Sequence, residues 1–153
     1  MQVMVLDRHD DLTALRPLFH EWEKEWRGAD FAIAGDMETI LDTVRKHVLS
    51  EHADFLVLLD ASGAIAGCMG LRLQTNHMGS GLFAVEGLFF VKPGCRGGGI
   101  LLRNAARQWA RARKCSHLQM TASRLATDAA DVAERFFVAS GMKQLETTFV
   151  EVL

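Results

Sequence analysis

The chain has 153 residues, 49% of them hydrophobic, with two prolines and a formal charge of −2, which suits one compact domain spanning residues 1–153. No basic segment leading into an apolar run opens it, and no stretch reaches about 18 apolar residues, so neither export nor a membrane-spanning helix is expected. Three scattered cysteines, Cys68, Cys95 and Cys115, fit reduced thiols in a cytoplasmic protein; six histidines with no i,i+4 pair give no metal site; and the near-neutral total argues against a nucleic-acid partner.

In chain order, residues 2–6 read as a short apolar strand, and the acidic stretch 7–11 supplies candidate helix N-caps. Leu12, Leu15, Phe19, Trp22 and Trp26 recur at three- and four-residue steps, which predicts a helix over residues 11–27. Pro17 either kinks that helix or sits in the first turn of one that begins near Leu15. Residues 28–36 form an irregular link carrying Asp30 and Asp36, and a second helix over 37–52 turns Ile40, Leu41, Val44 and Val48 inward.

Strands at 54–60 and 64–74 follow, joined by a hairpin turn at 61–63, with Gly67 and Gly70 leaving room for a bulge or a close backbone. A polar loop at 75–81 leads into a long apolar strand at 82–91. After Pro93-Gly94 come a turn of three glycines, Gly97 to Gly99, and a helix reaching residue 114. A strand at 117–122, a helix capped by Asp128 or Asp131 and ended by Gly141, and a last strand at 143–152 complete the chain. This order predicts an α/β fold of the α+β type: a mixed, mostly antiparallel sheet of six to seven strands with helices on both faces.

The glycine turn carries the first chemical signal. Glycines between a strand and a helix remove every Cβ that would hold a ligand away, and the first turn of a helix has unpaired N–H groups and a partial positive charge. That combination forms an anion cradle, to which Arg96 adds a full charge. A side chain placed at Gly98 is therefore expected to block the anion and leave the fold intact. Neither a phosphate-binding NTPase loop nor a dinucleotide fingerprint fits, because no Gly-Lys-Ser/Thr follows the glycines and the turn does not follow the first strand.

Val91 and Arg96-Gly97-Gly98-Gly99-Ile100-Leu101 do resemble the Arg/Gln-x-x-Gly-x-Gly/Ala acyl-CoA loop of the GNAT superfamily of N-acyltransferases, with Leu101 where that family has Gly or Ala. A second segment, from Ala133 through Phe136, Phe137 and Gly141 to Met142, is similar to the family's A-x-x-F-Y-x-x-x-G-F helix and turn, with Phe137 for Tyr and Met142 for Phe. The resemblance implies acetyl-CoA as co-substrate and no metal. Main-chain N–H groups of Gly97, Gly98, Gly99, Ile100 and Leu101 would hold its pyrophosphate with help from Arg96. The main chains of Phe89 and Val91 would hold the pantetheine as an added strand, and Phe137 would lie beside the cofactor. It further implies a small-molecule or peptide amine as acceptor, roofed by the first helices and their link, where Trp26, Asp30 and Asp36 are candidate contacts. A homodimer is compatible with this picture.

The chemistry asks for a proton acceptor, since an alkyl amine near pKa 10 is almost wholly protonated at pH 7. Glu86 is the candidate: a carboxylate in an apolar strand has its pKa raised by burial, and alternation places it on one face with Leu88 and Phe90. It is otherwise a structural ion pair or an exposed strand end. The family's Tyr acid is missing, for the chain contains no tyrosine, which leaves water or a hydroxyl such as Ser123 to protonate the thiolate. Two readings stand: an acyl-CoA-dependent N-acetyltransferase, or a catalytically silent acyl-CoA-binding or regulatory module. Residues 1–60 hold 13 Asp/Glu against 6 Lys/Arg and residues 61–153 hold 6 against 11; the two halves either attract one reactant each or are ordinary solvated surface.

Overall fold

The computed structural model describes residues 1–26, 35–75, 79–123 and 130–145. Among these, strands β1 (Gln2–Val5), β2 (Ala53–Leu59), β3 (Ile65–Thr75), β4 (Leu82–Val91) and β5 (His117–Gln119) form one sheet in that spatial order. β1 to β4 are antiparallel neighbours, and β5 lies parallel to β4. Helices α1 (Arg16–Glu23) and α2 (Met37–Leu49) cover one face, and α3 (Gly99–Ala112) covers the other; α4 (Ala130–Ala139) follows β5. Among the described residues the sheet has five strands; Lys143 to Leu145 are not part of one, and the rest of the last expected strand, which would make a sixth, lies outside the described residues.

Two apolar layers hold the sandwich together. Alternation along β2 sends Phe55 and Val57 to Leu15, Leu18, Phe19, Leu41 and Val44 on the α1–α2 side, and Leu56 and Leu58 to Leu102, Ala106 and Ala110 on the α3 side. Burying each such Leu or Phe contributes roughly 1.5–3 kcal/mol. The C-terminal end of α3 is pinned to β2 by polar contacts: Trp109 Nε1 and Arg113 both donate to Asp54 Oδ2, at 2.5 and 2.6 Å, and the guanidinium lies 4.2 Å from the Trp109 ring centroid.

Pro17 occupies the first turn of α1, after a 3₁₀ turn at Leu12–Leu15 whose N-cap is Asp11. Its missing N–H would be unpaired there in any case, so the proline starts the helix and does not kink it. α1 stops at Glu23, which leaves Trp26 just beyond it with its ring 5.0 Å from that of Trp22.

Candidate active site

Among the described residues the sheet opens between β4 and β5. β4 and β5 pair only at Phe83–His117, Ala84–Leu118 and Val85–Gln119; from there β4 runs on to Val91 while β5 ends. The expected strand 117–122 is thus shorter, because residues 120–122 diverge from β4. At the fork sits Glu86, whose Oε2 accepts the Thr121 amide N–H at 3.0 Å. A side chain has replaced the next rung of the ladder.

One residue further, β4 bulges. Gly70 of β3 faces Leu88 and Leu71 faces Glu86, so Gly87 has no partner. Simple alternation put Glu86 on one face with Leu88 and Phe90, and the bulge overturns that. Glu86 faces the same way as Leu71 and Ala84, toward α3, whereas Leu88 and Phe90 face α1 and α2. Gly87 is exposed although it lies in an interior strand between buried Glu86 and half-buried Leu88.

Glu86 is 7% exposed, the one charged residue in the core of the described chain. Burial pushes its carboxyl up to about 7, against the smaller opposing pull of the Thr121 amide. It ionises near neutrality, as a proton acceptor should.

The predicted anion cradle differs in detail from its sequence reading. Pro93 starts a 3₁₀ helix, Pro93–Gly98, that leads directly into α3, so the glycine triplet lies inside the helical run and not ahead of it. Consequently the Gly99 N–H donates to the Arg96 carbonyl and the Cys95 N–H to the Lys92 carbonyl at 2.9 Å; Gly99 offers no open donor. Nor is Gly98 open: a Cβ there would lie 2.3 Å from Leu58 Cδ2, and one on Gly99 would lie 3.3 Å from Phe89 Cζ. These two glycines exist for close packing. Gly97 is the clear position, exposed and with nothing within 4 Å of a Cβ built on it. α3 begins with no side-chain cap and no acid in its first turn, which leaves its positive end uncompensated, next to exposed Ile100 and Leu101.

Arg96 is engaged. One of its nitrogens meets both oxygens of Glu25 at 2.9 Å, with the two side chains 40% and 20% exposed. Ion pairs this open contribute about 0–1 kcal/mol, so a phosphate can displace the carboxylate at little cost.

Val91 is buried, and the Phe89 ring lies 6.3 Å from that of buried Phe137, beside the start of α3. Ser123 is half-buried in the segment after β5. Asp36 does not stand free for an acceptor: it caps α2, accepting from the Glu38 and Thr39 N–H groups and from the Thr39 hydroxyl, and those bonds hold its carboxyl below the usual range. Asp30 lies outside the described residues. Trp26 borders Gly35, and its Nε1 is buried without a hydrogen-bond partner among the described residues.

Sequence reasoning passed over one residue. His47, on α2, points at the bulge: its Nε2 lies 3.2 Å from a Cβ built on Gly70 and 3.7 Å from one built on Gly87. The signal was present in two glycines within apolar strands, which mark a close approach, but nothing in the sequence linked them to a residue on a helix upstream of both strands.

The sequence matches the profile described as "Acetyltransferase (GNAT) family" over residues 14–138. Comparison with curated proteins finds no match. Among solved structures, a tetramutant of the BH1408 protein from Bacillus halodurans superposes with a TM-score of 0.79 at 18% identity, covering 100% of both chains. The aminoglycoside 6'-N-acetyltransferase AAC(6')-Ih from Acinetobacter baumannii gives 0.71 at 14%, covering 99% of this chain and 97% of that one. AAC(6')-Iy, solved with the bisubstrate analogue CoA-S-monomethyl-acetylneamine, gives 0.75 at 15% with the same coverage. At such identities the structures establish the fold alone, whereas the profile spans most of the chain, and with it the fork, the bulge and the glycine helix: this protein belongs to the GNAT acetyltransferase family.

Proposed function

We propose that the chain, as one domain over residues 1–153 and acting in the cytoplasm, transfers an acetyl group from acetyl-CoA to a primary amine by direct attack, without a covalent enzyme intermediate. The observation that carries the reading is Glu86: a buried carboxyl poised near pH 7, at the point where β5 leaves β4.

Three features support a place for CoA. β4 extends past its last pair with β5, so the main chain of Phe89 and Val91 can take an extended pantetheine as a strand would. Gly97, the uncompensated start of α3 with Ile100 and Leu101, and Arg96 once parted from Glu25 would receive the pyrophosphate. Phe137 backs Phe89 there. Bound acyl-CoA would supply an activated thioester.

Glu86 takes one proton from the bound ammonium; the freed lone pair bonds to the acyl carbon, the carbon–sulfur bond breaks, and the second proton then lost by the nitrogen passes to the departing thiolate. Direct transfer or one intervening water both serve. The departing thiolate, of an alkyl thiol with pKa about 8.5, needs little assistance near neutral pH, so Ser123 or water suffices where the family has Tyr. The acceptor is a small-molecule or peptide amine reaching the bulge from the α1–α2 side, with Trp26 and Asp30 as candidate contacts; the aminoglycoside enzymes of like fold favour the small molecule. Asp36 contributes by fixing the start of α2.

Phe137, which has no hydroxyl, favours one alternative, a CoA-binding module without turnover. Free-thiol release from acetyl-CoA, followed across a panel of primary amines, separates the two. The acetyltransferase releases thiol only when an amine is added, and Glu86→Gln slows it at least about tenfold with CoA affinity unchanged. A protein that binds CoA yet releases no thiol with any amine is the silent module.

A further inference from the structure

We propose that His47 is an acceptor-binding residue, its Nε2 accepting an N–H of the amine at the β4 bulge. This deepens the acetyltransferase reading and rests on it. His47 Nδ1 lies 2.8 Å from the Thr43 carbonyl oxygen. A carbonyl cannot donate, so Nδ1 carries the hydrogen, and the tautomer this selects presents a lone pair at Nε2. The tautomer is therefore set by α2 itself, one helical turn back.

Nε2 is buried and has no hydrogen-bond partner among the described residues. Buried polar atoms are almost always paired, and those that are not mark places where another group belongs. What surrounds Nε2 is consistent with that. The ring is held edge-on against Phe55, centroids 6.1 Å apart, and Nε2 looks toward Gly70 and Gly87, two adjoining positions with no side chain. Any Cβ at Gly70 would crowd it at 3.2 Å. Gly87 is also the exposed residue of the bulge, so the main chain next to Nε2 is open while the nitrogen itself is covered, and a donor settling on Gly87 would reach Nε2 on displacing the half-buried imidazole.

The position has a chemical use. Glu86 lies on the α3 side of β4, and His47 approaches the neighbouring Gly87 from the α2 side. An amine seated at Gly87 would then have a proton acceptor on one side and a hydrogen-bond acceptor on the other. With one N–H directed to His47 and a second proton taken by Glu86, the nitrogen lone pair is left to point along the fork at the thioester carbon. His47 takes no proton in this scheme. It selects acceptors with at least two N–H bonds and orients them.

The test uses the full chain, with His47→Phe to remove the lone pair and His47→Gln to restore an acceptor near the Nε2 position. With an amine that supports thiol release, His47→Phe raises the amine KM at least about tenfold, the effect of losing one hydrogen bond to a charged group. CoA affinity stays unchanged, and His47→Gln recovers most of the loss. An unchanged amine KM in a folded His47→Phe protein overturns the proposal. A second readout does not need turnover. In ¹⁵N-histidine-labelled protein saturated with CoA, addition of neamine or spermidine shifts the Nε2 resonance of His47 in the direction of hydrogen-bond acceptance if the proposal holds, and an Nε2 resonance that neither amine moves refutes it. Absence of thiol release with every amine would defeat the acetyltransferase reading separately, leaving the Nε2 shift to decide on His47.

Discussion

Glu86 concentrates the argument at the level of single residues, and its burial has a consequence for stability independent of catalysis. Its carboxyl titrates near 7 in the folded chain against an ordinary value of 4.5. Because the folded pKa is the higher one, the folded protein holds this proton more tightly than the unfolded chain does. The contribution to stability is full below about pH 4.5 and is lost as pH rises through about 7, a total of about 3 kcal/mol. Glu86→Gln has no proton to lose, so its denaturation midpoint, measured against wild type from pH 4.5 to 8, should gain on wild type by about that amount; parallel curves would mean that the carboxyl is not held neutral. The sequence made Glu86 visible because a carboxylate in LFAVEGLFFV stands out. It hid the side chain's direction, because the unpaired Gly87 shifts the alternation by one and a register is a property of two strands, not one.

At the level of elements, the helical run from Pro93 into α3 decides how an anion could be held. Its three glycines look equivalent in sequence and are not so in space. Gly98→Ala would drive a Cβ into fully buried Leu58 and should cost about 1–3 kcal/mol of stability, seen as a lower thermal midpoint. Gly97→Glu meets no neighbouring atom, and a carboxylate near a helix start is favourable by about 0.3–1 kcal/mol, so the midpoint should hold or rise while CoA affinity, measured by calorimetry, falls at least about tenfold. Equal CoA affinity in that variant would remove the start of α3 as the pyrophosphate site. Sequence alone assigned the blocking role to Gly98, since triplet order shows where Cβ atoms are missing and not what stands opposite them. Asp36, read from the sequence as an acceptor contact, gives both of its oxygens to the start of α2, a use that only the fold reveals.

For the whole molecule, the strand and helix order followed from periodicity and turn residues, and so did the two-layer core: Leu15, Phe19, Leu41 and Val44 pack as their spacing requires. The fork between β4 and β5 did not follow, because His117 to Ala122 is apolar enough to be a strand throughout and only the geometry parts it at Gln119. Yet the fork, with the bulge beside it, is where β4 leaves its described partner, with the Glu86 carboxylate on the α3 side and His47 packed near Gly87 on the α2 side. α1 and α2 come from the acidic first 60 residues, and α3, with Arg103, Arg107 and Arg111, comes from the basic remainder.

The pH dependence of kcat/KM for acetyl transfer, taken from pH 5 to 10 with one primary amine, tests the assignment of Glu86 most directly. If its carboxylate takes the proton from a bound ammonium, the wild-type rate rises tenfold per pH unit up to about pH 7 and then levels off until the amine itself deprotonates near pKa 10. Glu86→Gln, which can use only free amine, should instead climb without a break toward pH 10. Identical profiles, both climbing through pH 7, would contradict the account.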